Sequence, residues 1–281
     1  YLGGGYDSNI NNATDANAIG IFQLPESARE TSSPFNSFGI TGLYQAPIDQ
    51  QTQLVTRMGT RHKYNYEQSD YNLDTLNVDV MGLHQWDKLA FKLGYGYSHT
   101  LLDNKDYQRV QQLVSEVRMA AGSNIALSAG FMAGNRASFA SDLLDAIQLM
   151  GNVGADYRAG YGTHQLGLLA GSENTREPGA SHNGKKFKGA SYRFSLDKAL
   201  LGNKWSPYML LSWFAAKHKA DHPFFGLRRD DKSLQLLLGV NYQFGKNWQW
   251  VAEASKVSNS SSLDIYDYSR QLFETRVQYT F

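Results

Sequence analysis

The feature that most constrains this chain is a period-two alternation of apolar and polar side chains, which recurs from one end to the other. In the segment 234–244, Leu236 and Val240 share one face, whereas Gln235 and Asn241 share the other. The same alternation covers residues 89–98, 147–158 and 273–281. Because successive side chains of a β-strand point to opposite sides, the pattern predicts an all-β chain.

The length of the alternating segments distinguishes a membrane barrel from a soluble β-sandwich. They run for roughly 10–14 residues, which fits a strand that crosses a bilayer at a tilt, whereas strands of soluble proteins usually have about 5–6 residues. Glycines recur on the polar face, which a hydrated lumen tolerates and a packed core does not. The sequence therefore predicts a transmembrane β-barrel, with its apolar face towards lipid and its polar face towards water.

Composition excludes several other classes of protein. The 27 Lys and Arg against 26 Asp and Glu give a net charge of +1 with neutral His, which does not suit a strongly basic nucleic-acid binder. The chain has no cysteine, so disulfides, thiolate zinc sites and a cysteine nucleophile are ruled out. The longest nearly apolar run, 208–216, is far shorter than the about 18 residues that a membrane-spanning helix needs.

The segments predict a 14-stranded antiparallel barrel that occupies residues 1–281 as a single domain. The strands are expected near residues 2–10, 35–45, 52–65, 71–85, 89–101, 107–121, 125–135, 146–159, 164–174, 187–198, 206–217, 232–244, 247–258 and 268–281. Short connections are expected at 46–51, 86–88, 122–124, 160–163, 199–205 and 245–246. Longer ones are expected at 11–34, 66–70, 102–106, 136–145, 175–186, 218–231 and 259–267. Since bacterial barrels carry short turns in the periplasm and long loops outside, both termini are predicted to be periplasmic.

Tryptophans support the same orientation. Trp86, Trp205, Trp248 and Trp250 lie at or beside predicted short turns. Amphipathic aromatic rings prefer the headgroup level of a bilayer, so these four residues are predicted to form an interfacial belt.

Both ends of the chain resemble known outer-membrane barrels. The closing Tyr279-Thr280-Phe281, after Phe273 and Val277, resembles the carboxy-terminal strand that the barrel-assembly machinery reads. The opening segment 5–11, Gly-Tyr-Asp-Ser-Asn-Ile-Asn, and the segment 265–270 are similar to barrels that follow a periplasmic tetratricopeptide-repeat domain. With fourteen strands, the resemblance is to the surface lipoprotein assembly modifier family.

The family resemblance implies a function. It implies a translocator pore that exports surface lipoproteins or small secreted proteins, with a periplasmic repeat domain before residue 1 in the full protein. Exopolysaccharide-export porins share the repeat-plus-barrel plan, so a polysaccharide-export or passive diffusion porin is the alternative. An enzyme, a cofactor and a nucleic-acid partner are not predicted, and no Ser, His and Asp grouping stands out.

The predicted lumen carries charges of both signs. The inward set by alternation is Arg57, Arg61, Lys63, Asp79, Lys92, Glu116, Arg118, Asp156, Arg158, Glu173, Arg193, Asp197, Glu253, Glu274 and Arg276. These groups could pair across neighbouring strands and hold the barrel round, or they could line a weakly selective polar conduit. An anion-specific pore would need a ring of one sign, which the pattern does not show.

The first strand is predicted to be a weak point. Gly3, Gly4 and Gly5 offer no side chains to pack, and each costs about 0.5–1 kcal/mol relative to alanine in a strand. A gate between the first and last strands, near Tyr6 and Gln278, is therefore one hypothesis. The alternative is that the glycines let the chain bend away from a preceding domain.

Three loop features are weaker candidates for a function. The segment 224–231, Phe-Phe-Gly-Leu-Arg-Arg-Asp-Asp, could plug the barrel mouth, contact a cargo or pack on itself. Asp7, Asn9, Asn11 and Asp15 have the spacing of a calcium loop without its glycine and closing glutamate, so turn closure is the better interpretation. His218 and His222 lack a third metal ligand, and a solvated loop is expected there.

Overall fold

The computed structural model describes residues 1–15, 18–19, 22–25, 28–197 and 201–281. It contains a closed antiparallel barrel of fourteen strands, which confirms the predicted fold class. The barrel strands are β1 (Leu2–Asp7), β4 (Ser33–Pro47), β5 (Thr52–Asn65), β6 (Leu73–Trp86), β7 (Leu89–Leu102), β8 (Lys105–Ala120), β9 (Ile125–Ser138), β10 (Ala146–Ala159), β11 (Gly162–Thr175), β12 (Lys185–Leu196), β13 (Trp205–Asp221), β14 (Arg228–Gln243), β15 (Trp248–Ser261) and β16 (Tyr268–Tyr279). A two-stranded hairpin, β2 (Ala18–Ile19) and β3 (Phe22–Gln23), lies in the first connection.

The ring closes through β1, the shortest of the fourteen barrel strands. β1 pairs with β16 on one side and with β4 on the other, and it makes six Cα pairs with each. By contrast, β10 and β11 pair at fourteen positions. Each barrel strand thus has two neighbours, so its backbone groups bond within the wall, as the hydrocarbon of a bilayer requires.

The first strand ends earlier than predicted, and beyond its end the side chain of Asn9 makes a hydrogen bond to the neighbouring strand. The strand was expected to extend to residue 10, but it ends at Asp7. The amide of Asn9 donates to the carbonyl oxygens of Ala13 and Ser269, which ties the start of the long connection to β16. Parts of this predicted connection, 11–34, and of the predicted turn 199–205 lie outside the described residues.

Two predicted loops were wrong in extent. The ladder of β13 and β14 continues to the pair Asp221–Arg228, so the loop expected at 218–231 spans only residues 222–227. The loop expected at 102–106 is a turn of Asp103 and Asn104, both at positive φ (51° and 59°). Asp and Asn tolerate that conformation, which suits a tight hairpin turn.

The connections still differ in length between the two rims. One rim carries the turns 48–51, 87–88, 121–124, 160–161 and 244–247, together with both ends of the described chain. The other rim carries the first connection, between β1 and β4, the loops 66–72, 139–145, 176–184, 222–227 and 262–267, and the one short turn 103–104. We call these the short-turn rim and the long-loop rim; that the short-turn rim faces the periplasm stays a prediction.

The two faces of the wall follow the alternation of the sequence. On β14, Leu234 and Leu238 are 51% and 53% exposed, because they point away from the barrel axis. A soluble sandwich would bury these leucines in a dry core, whereas a membrane barrel turns them to lipid. No helix within the described residues combines the length and the apolarity needed to cross a bilayer.

A glycine of β1 is predicted to be essential to closure. A Cβ placed on Gly5 would lie 1.9 Å from the backbone oxygen of Phe273 and 2.8 Å from Cζ of Phe35. Gly5→Ala should therefore lower the free energy of unfolding by roughly 1–3 kcal/mol, since overpacking strains a tight site. The measurement is guanidinium unfolding of the detergent-folded barrel, followed by tryptophan fluorescence.

Gly42→Ala is the matched control, because a Cβ there would meet its nearest atom at 4.0 Å. A loss for Gly5→Ala no larger than that for Gly42→Ala would contradict the tight fit between β1 and its neighbours.

Candidate functional site

The inward face holds a network of charges centred on β16. Arg276 Nη1 lies 2.6 Å from Glu253 Oε2 on β15 and 3.7 Å from Glu274 Oε2 on its own strand. Glu274 Oε2 lies 3.1 Å from Arg61 Nη2 on β5. Ser37 Oγ on β4 donates to Glu274 Oε1 at 2.8 Å. The network therefore joins β15 and β16 to β4 and β5, across β1.

Glycines give this network room to cross strands. Gly3 and Gly5 of β1 pair with Arg276 and Glu274, and they present no side chain to the lumen between β16 and β4. Arg61 can therefore reach Glu274 over the backbone of β1. The glycines of the first strand thus keep a path clear for the ion pair that bridges it.

A glycine also lets a side chain of β13 reach past β14 to β15. The ring of Tyr208 on β13 lies over Gly239 of β14, where a Cβ would come within 2.3 Å of its Cζ. The Tyr208 hydroxyl donates to Glu253 on β15. Arg193 on β12 stacks its guanidinium 5.2 Å from the Tyr208 ring centroid. The inward network therefore extends from β12 to β5.

A separate group of ion pairs covers the opposite wall. Lys92 Nζ on β7 lies 2.7 Å from Glu116 Oε2 on β8. Arg118 on β8 pairs with Asp156 on β10 across β9, where Ser128 and Ala126 leave space. These predicted lumen residues are thus brought together as pairs across one or two strands.

Three predicted lumen arginines have no carboxylate within salt-bridge distance in the part of the chain that the structure describes. Arg57 lies opposite Asp79 in the register of β5 and β6, so a carboxylate is nearby. It also lines a cavity of about 370 Å³ together with Arg61, Arg276 and Gln278. Arg158 and Arg193 lie near the ends of β10 and β12 at the short-turn rim, without a matching carboxylate.

Sequence reasoning missed a buried ion cluster at the long-loop rim. Asp7 is fully buried, and its Oδ2 lies 2.6 Å from both Lys63 Nζ on β5 and Arg270 Nη2 on β16. Asn12 accepts from Arg270 at 3.1 Å. The calcium interpretation is wrong for Asp7, because these cations occupy its carboxylate. No sequence spacing reveals the cluster, because the partners of Asp7 lie 56 and 263 residues away along the chain.

Glu173, another predicted lumen residue, has a comparable role on the far side of the same rim. Its carboxylate lies 2.6 Å from Arg136 Nη2, which joins β11 to β9.

The position expected for a gate needs a correction. Tyr6 pairs with Phe273, whereas Gln278 pairs with Gln249 on β15 and lies one residue beyond the Leu2–Val277 pair. Tyr6 and Gln278 therefore do not face each other, because the antiparallel register places them at different heights. We call the β1–β16 pairing, from Leu2–Val277 to Asp7–Leu272, the seam.

Aromatic rings form a continuous outward group at the short-turn rim. Ring centroids are 4.3 Å apart for Trp205 and Tyr242 and 6.4 Å apart for Trp205 and Trp250. Trp248 lies 4.8 Å from Tyr279, which lies 5.0 Å from Phe281. Trp86 stands apart at its own turn and is exposed. This placement suits rings at a membrane interface.

The loop 222–227 packs on itself and on the next loop. Phe224 is 67% exposed and meets Phe225 edge-on, with ring centroids 5.0 Å apart. His222 lies against Phe225, and partial burial lowers its pKa, as does the neighbouring His182. His218 bonds the backbone oxygen of His182 instead of joining His222. The geometry favours a self-packed loop over a plug. The solvated loop expected at His218 is wrong, because His218 lies within β13 and is only 8% exposed.

Comparison with known proteins places the fold. No protein-family model matches the chain, and no curated protein matches it. The outer membrane protein OmpT of Vibrio cholerae, in a form lacking loop L8, is 12% identical over 99% of this chain and 98% of that one, with a TM-score of 0.52. OccAB3 of Acinetobacter baumannii is 12% identical over 100% and 97%, also with a TM-score of 0.52. The fold is that of integral outer-membrane β-barrels of bacteria, and the lipoprotein-translocator resemblance stays a prediction.

The buried cluster at Asp7 is predicted to stabilise the barrel. Asp7→Asn should lower the free energy of unfolding by about 3–5 kcal/mol, because it leaves the buried Lys63 ammonium without its anion. The double variant Asp7→Asn/Lys63→Met should recover part of that loss. Guanidinium unfolding of the detergent-folded protein measures both.

Asp103→Asn serves as the control, since Asp103 forms an exposed pair with Lys105 at 3.6 Å. Its effect should stay within about 1 kcal/mol. An Asp7→Asn effect as small as that of the control would show that the cluster does not hold β1 in place.

Proposed function

We propose that the barrel is a passive diffusion channel for small polar solutes, with a weak preference for anions. The observation that carries this proposal is the inward face, where paired charges of both signs line the wall, and where Arg158 and Arg193 have no carboxylate partner among the described residues. A hydrated wall of this kind lets polar solutes pass without binding them tightly. A chemical reaction is not proposed.

The weak anion preference follows from how the charges are distributed. Glu116, Asp156, Glu253 and Glu274 each lie within 4 Å of a cation, so their fields are largely cancelled. Within the part of the chain that the structure describes, Arg158 and Arg193 near the short-turn rim have no such partner, and their field attracts anions to that mouth. A strict anion filter would instead need a closed ring of one sign.

Planar-bilayer recording tests the channel and its selectivity together. The unaltered protein should give a steady conductance, with a reversal potential in a salt gradient on the anion side. Arg158→Gln/Arg193→Gln should lower the anion-to-cation permeability ratio by roughly two- to fivefold, because one uncompensated charge contributes about 1 kcal/mol at close range in water.

Arg109→Gln/Arg228→Gln removes the same number of charges from outward positions of β8 and β14 and should leave the ratio unchanged. A barrel that folds but carries no current would reject the open channel. An equal shift in both double variants would reject the assignment to the two inward arginines.

A translocator with a lateral exit is the second candidate, and the short seam favours it. The six-residue pairing of β1 with β16 is the shortest ladder in the wall, together with its pairing to β4. A lipid-bearing cargo would gain from a side exit, since acyl chains prefer the bilayer. The salt bridge Arg61–Glu274 and the Asp7 cluster would then have to open with the seam.

A cross-link across the seam separates the two candidates. Leu2→Cys/Val277→Cys places thiols at paired positions, where antiparallel Cα separations suit a disulfide. The chain has no other cysteine. The diffusion channel should conduct equally when oxidised and reduced, whereas a lateral exit should lose surface display of lipoproteins in producing cells when oxidised. Unchanged display in the oxidised form would reject the lateral exit.

A further inference from the structure

Lysines gather on the outward face of four adjacent strands near the long-loop rim. They are Lys186 and Lys188 on β12, Lys217 on β13, Lys232 on β14 and Lys256 on β15, and all five are exposed. We call this group the lysine patch. Its side chains share the face of the lipid-facing leucines: Lys232 lies two residues before Leu234, and Lys256 pairs with Leu236.

The tilt of the strands brings Lys188 and Lys256 to a similar height, and it places Lys186, Lys217 and Lys232 closer to the long-loop rim. A row is the line of residues that are Cα partners from one strand to the next. The row that begins at Ser195, near the end of β12 at the short-turn rim, arrives at Phe35, near the start of β4 at the long-loop rim. Rows therefore climb by about 3 Å per strand, given a spacing of about 4.8 Å and a tilt of about 40°. Tyr192 of β12 is in the same row as Lys256, which is three strands away on β15 and is therefore about 9 Å higher. Lys188 is on the same strand as Tyr192, four residues closer to the long-loop rim, which raises it by a similar distance. The two ammonium groups thus start from nearly the same level.

Few carboxylates of the described residues lie close enough to neutralise the positive charge of the patch. Lys217 lies 3.5 Å from Asp230, an exposed partner on β14. In the described part of the chain, Lys186, Lys188, Lys232 and Lys256 have no carboxylate within 4.0 Å. Lys188 Nζ lies 5.8 Å from the ring centroid of Trp213, which faces outward and is 38% exposed. Cations therefore stand directly above an apolar surface.

We infer that the lysine patch binds the phosphorylated headgroup of lipid A in the outer leaflet, with the acyl chains on the leucines below. The inference rests on the predicted orientation, in which the long-loop rim faces outwards. Four unpaired cations complement the two phosphates of such a headgroup, and a lysine near an anionic membrane surface contributes measurably to binding. The outward face turns to lipid, so a membrane lipid is the occupant and not a solute in the lumen.

Native mass spectrometry of the detergent-purified barrel tests the inference without any substitution. Bis-phosphorylated lipid A should bind, and dephosphorylated lipid A with the same acyl chains should bind roughly tenfold more weakly or not at all. Millimolar inorganic phosphate should not displace the lipid. Equal binding of both lipids, displacement by free phosphate, or equal binding of phosphatidylglycerol would overturn the assignment.

Three matched variants then locate the site. Lys186→Gln/Lys188→Gln/Lys232→Gln/Lys256→Gln should weaken lipid A binding roughly tenfold or more, while the corresponding four Lys→Arg changes should preserve it. The control Lys88→Gln/Lys105→Gln/Lys204→Gln/Lys246→Gln removes four exposed lysines elsewhere and should bind as the unaltered protein does. An equal loss in the control, or none in the patch variant, would contradict the proposed site. Conductance of the folded patch variant should stay unchanged, which keeps this test independent of the channel proposal.

Discussion

Closure of the backbone hydrogen-bond ladder is the constraint on which the rest of this structure depends. Hydrocarbon offers no partner for an amide or a carbonyl, so a spanning sheet must have no free edge. The wall meets this demand through β1, whose six residues pair with β16 and β4. Since so short a strand adds few hydrogen bonds, side chains reinforce it. The buried Asp7 carboxylate joins Lys63 to Arg270 at one end, and Arg61 reaches Glu274 across its middle.

The same alternation that closes the wall also separates its chemistry. Outward positions carry leucines, an aromatic belt at one rim and lysines towards the other, which matches the layers of a bilayer from interface to hydrocarbon to headgroup. Inward positions carry charges that pair across strands. Glycines at 3, 5 and 239 are part of this inner surface, because they let Arg61 and Tyr208 reach past a neighbouring strand. Wall stability and a polar interior therefore come from the same residues.

The sequence could predict whatever depends on local periodicity. Strand number, antiparallel order and the facing of residues such as Leu236 and Arg118 follow from period two and from turn spacing. The height of a residue in the wall and its partners on distant strands do not follow from local periodicity, since both depend on the stagger of the strands. Tyr6 therefore meets Phe273 and not Gln278, and Asp7 finds partners 56 and 263 residues away. Strand ends at 221 and 228 were missed for a similar reason, because the ladder continues where the composition resembles a loop.

A cysteine scan of β14 tests the central claim most directly, since the chain contains no cysteine. Single cysteines from 234 to 240 would be labelled with a fluorophore in vesicles containing brominated lipid. A closed membrane barrel predicts strong quenching by lipid at positions 234, 236, 238 and 240. It predicts reaction with a charged, water-soluble thiol reagent at 235 and 237, while Gly239 is left unchanged because the Tyr208 ring covers it. Uniform quenching, or quenching at none of these positions, would contradict a closed wall with a lipid-facing and a water-facing side.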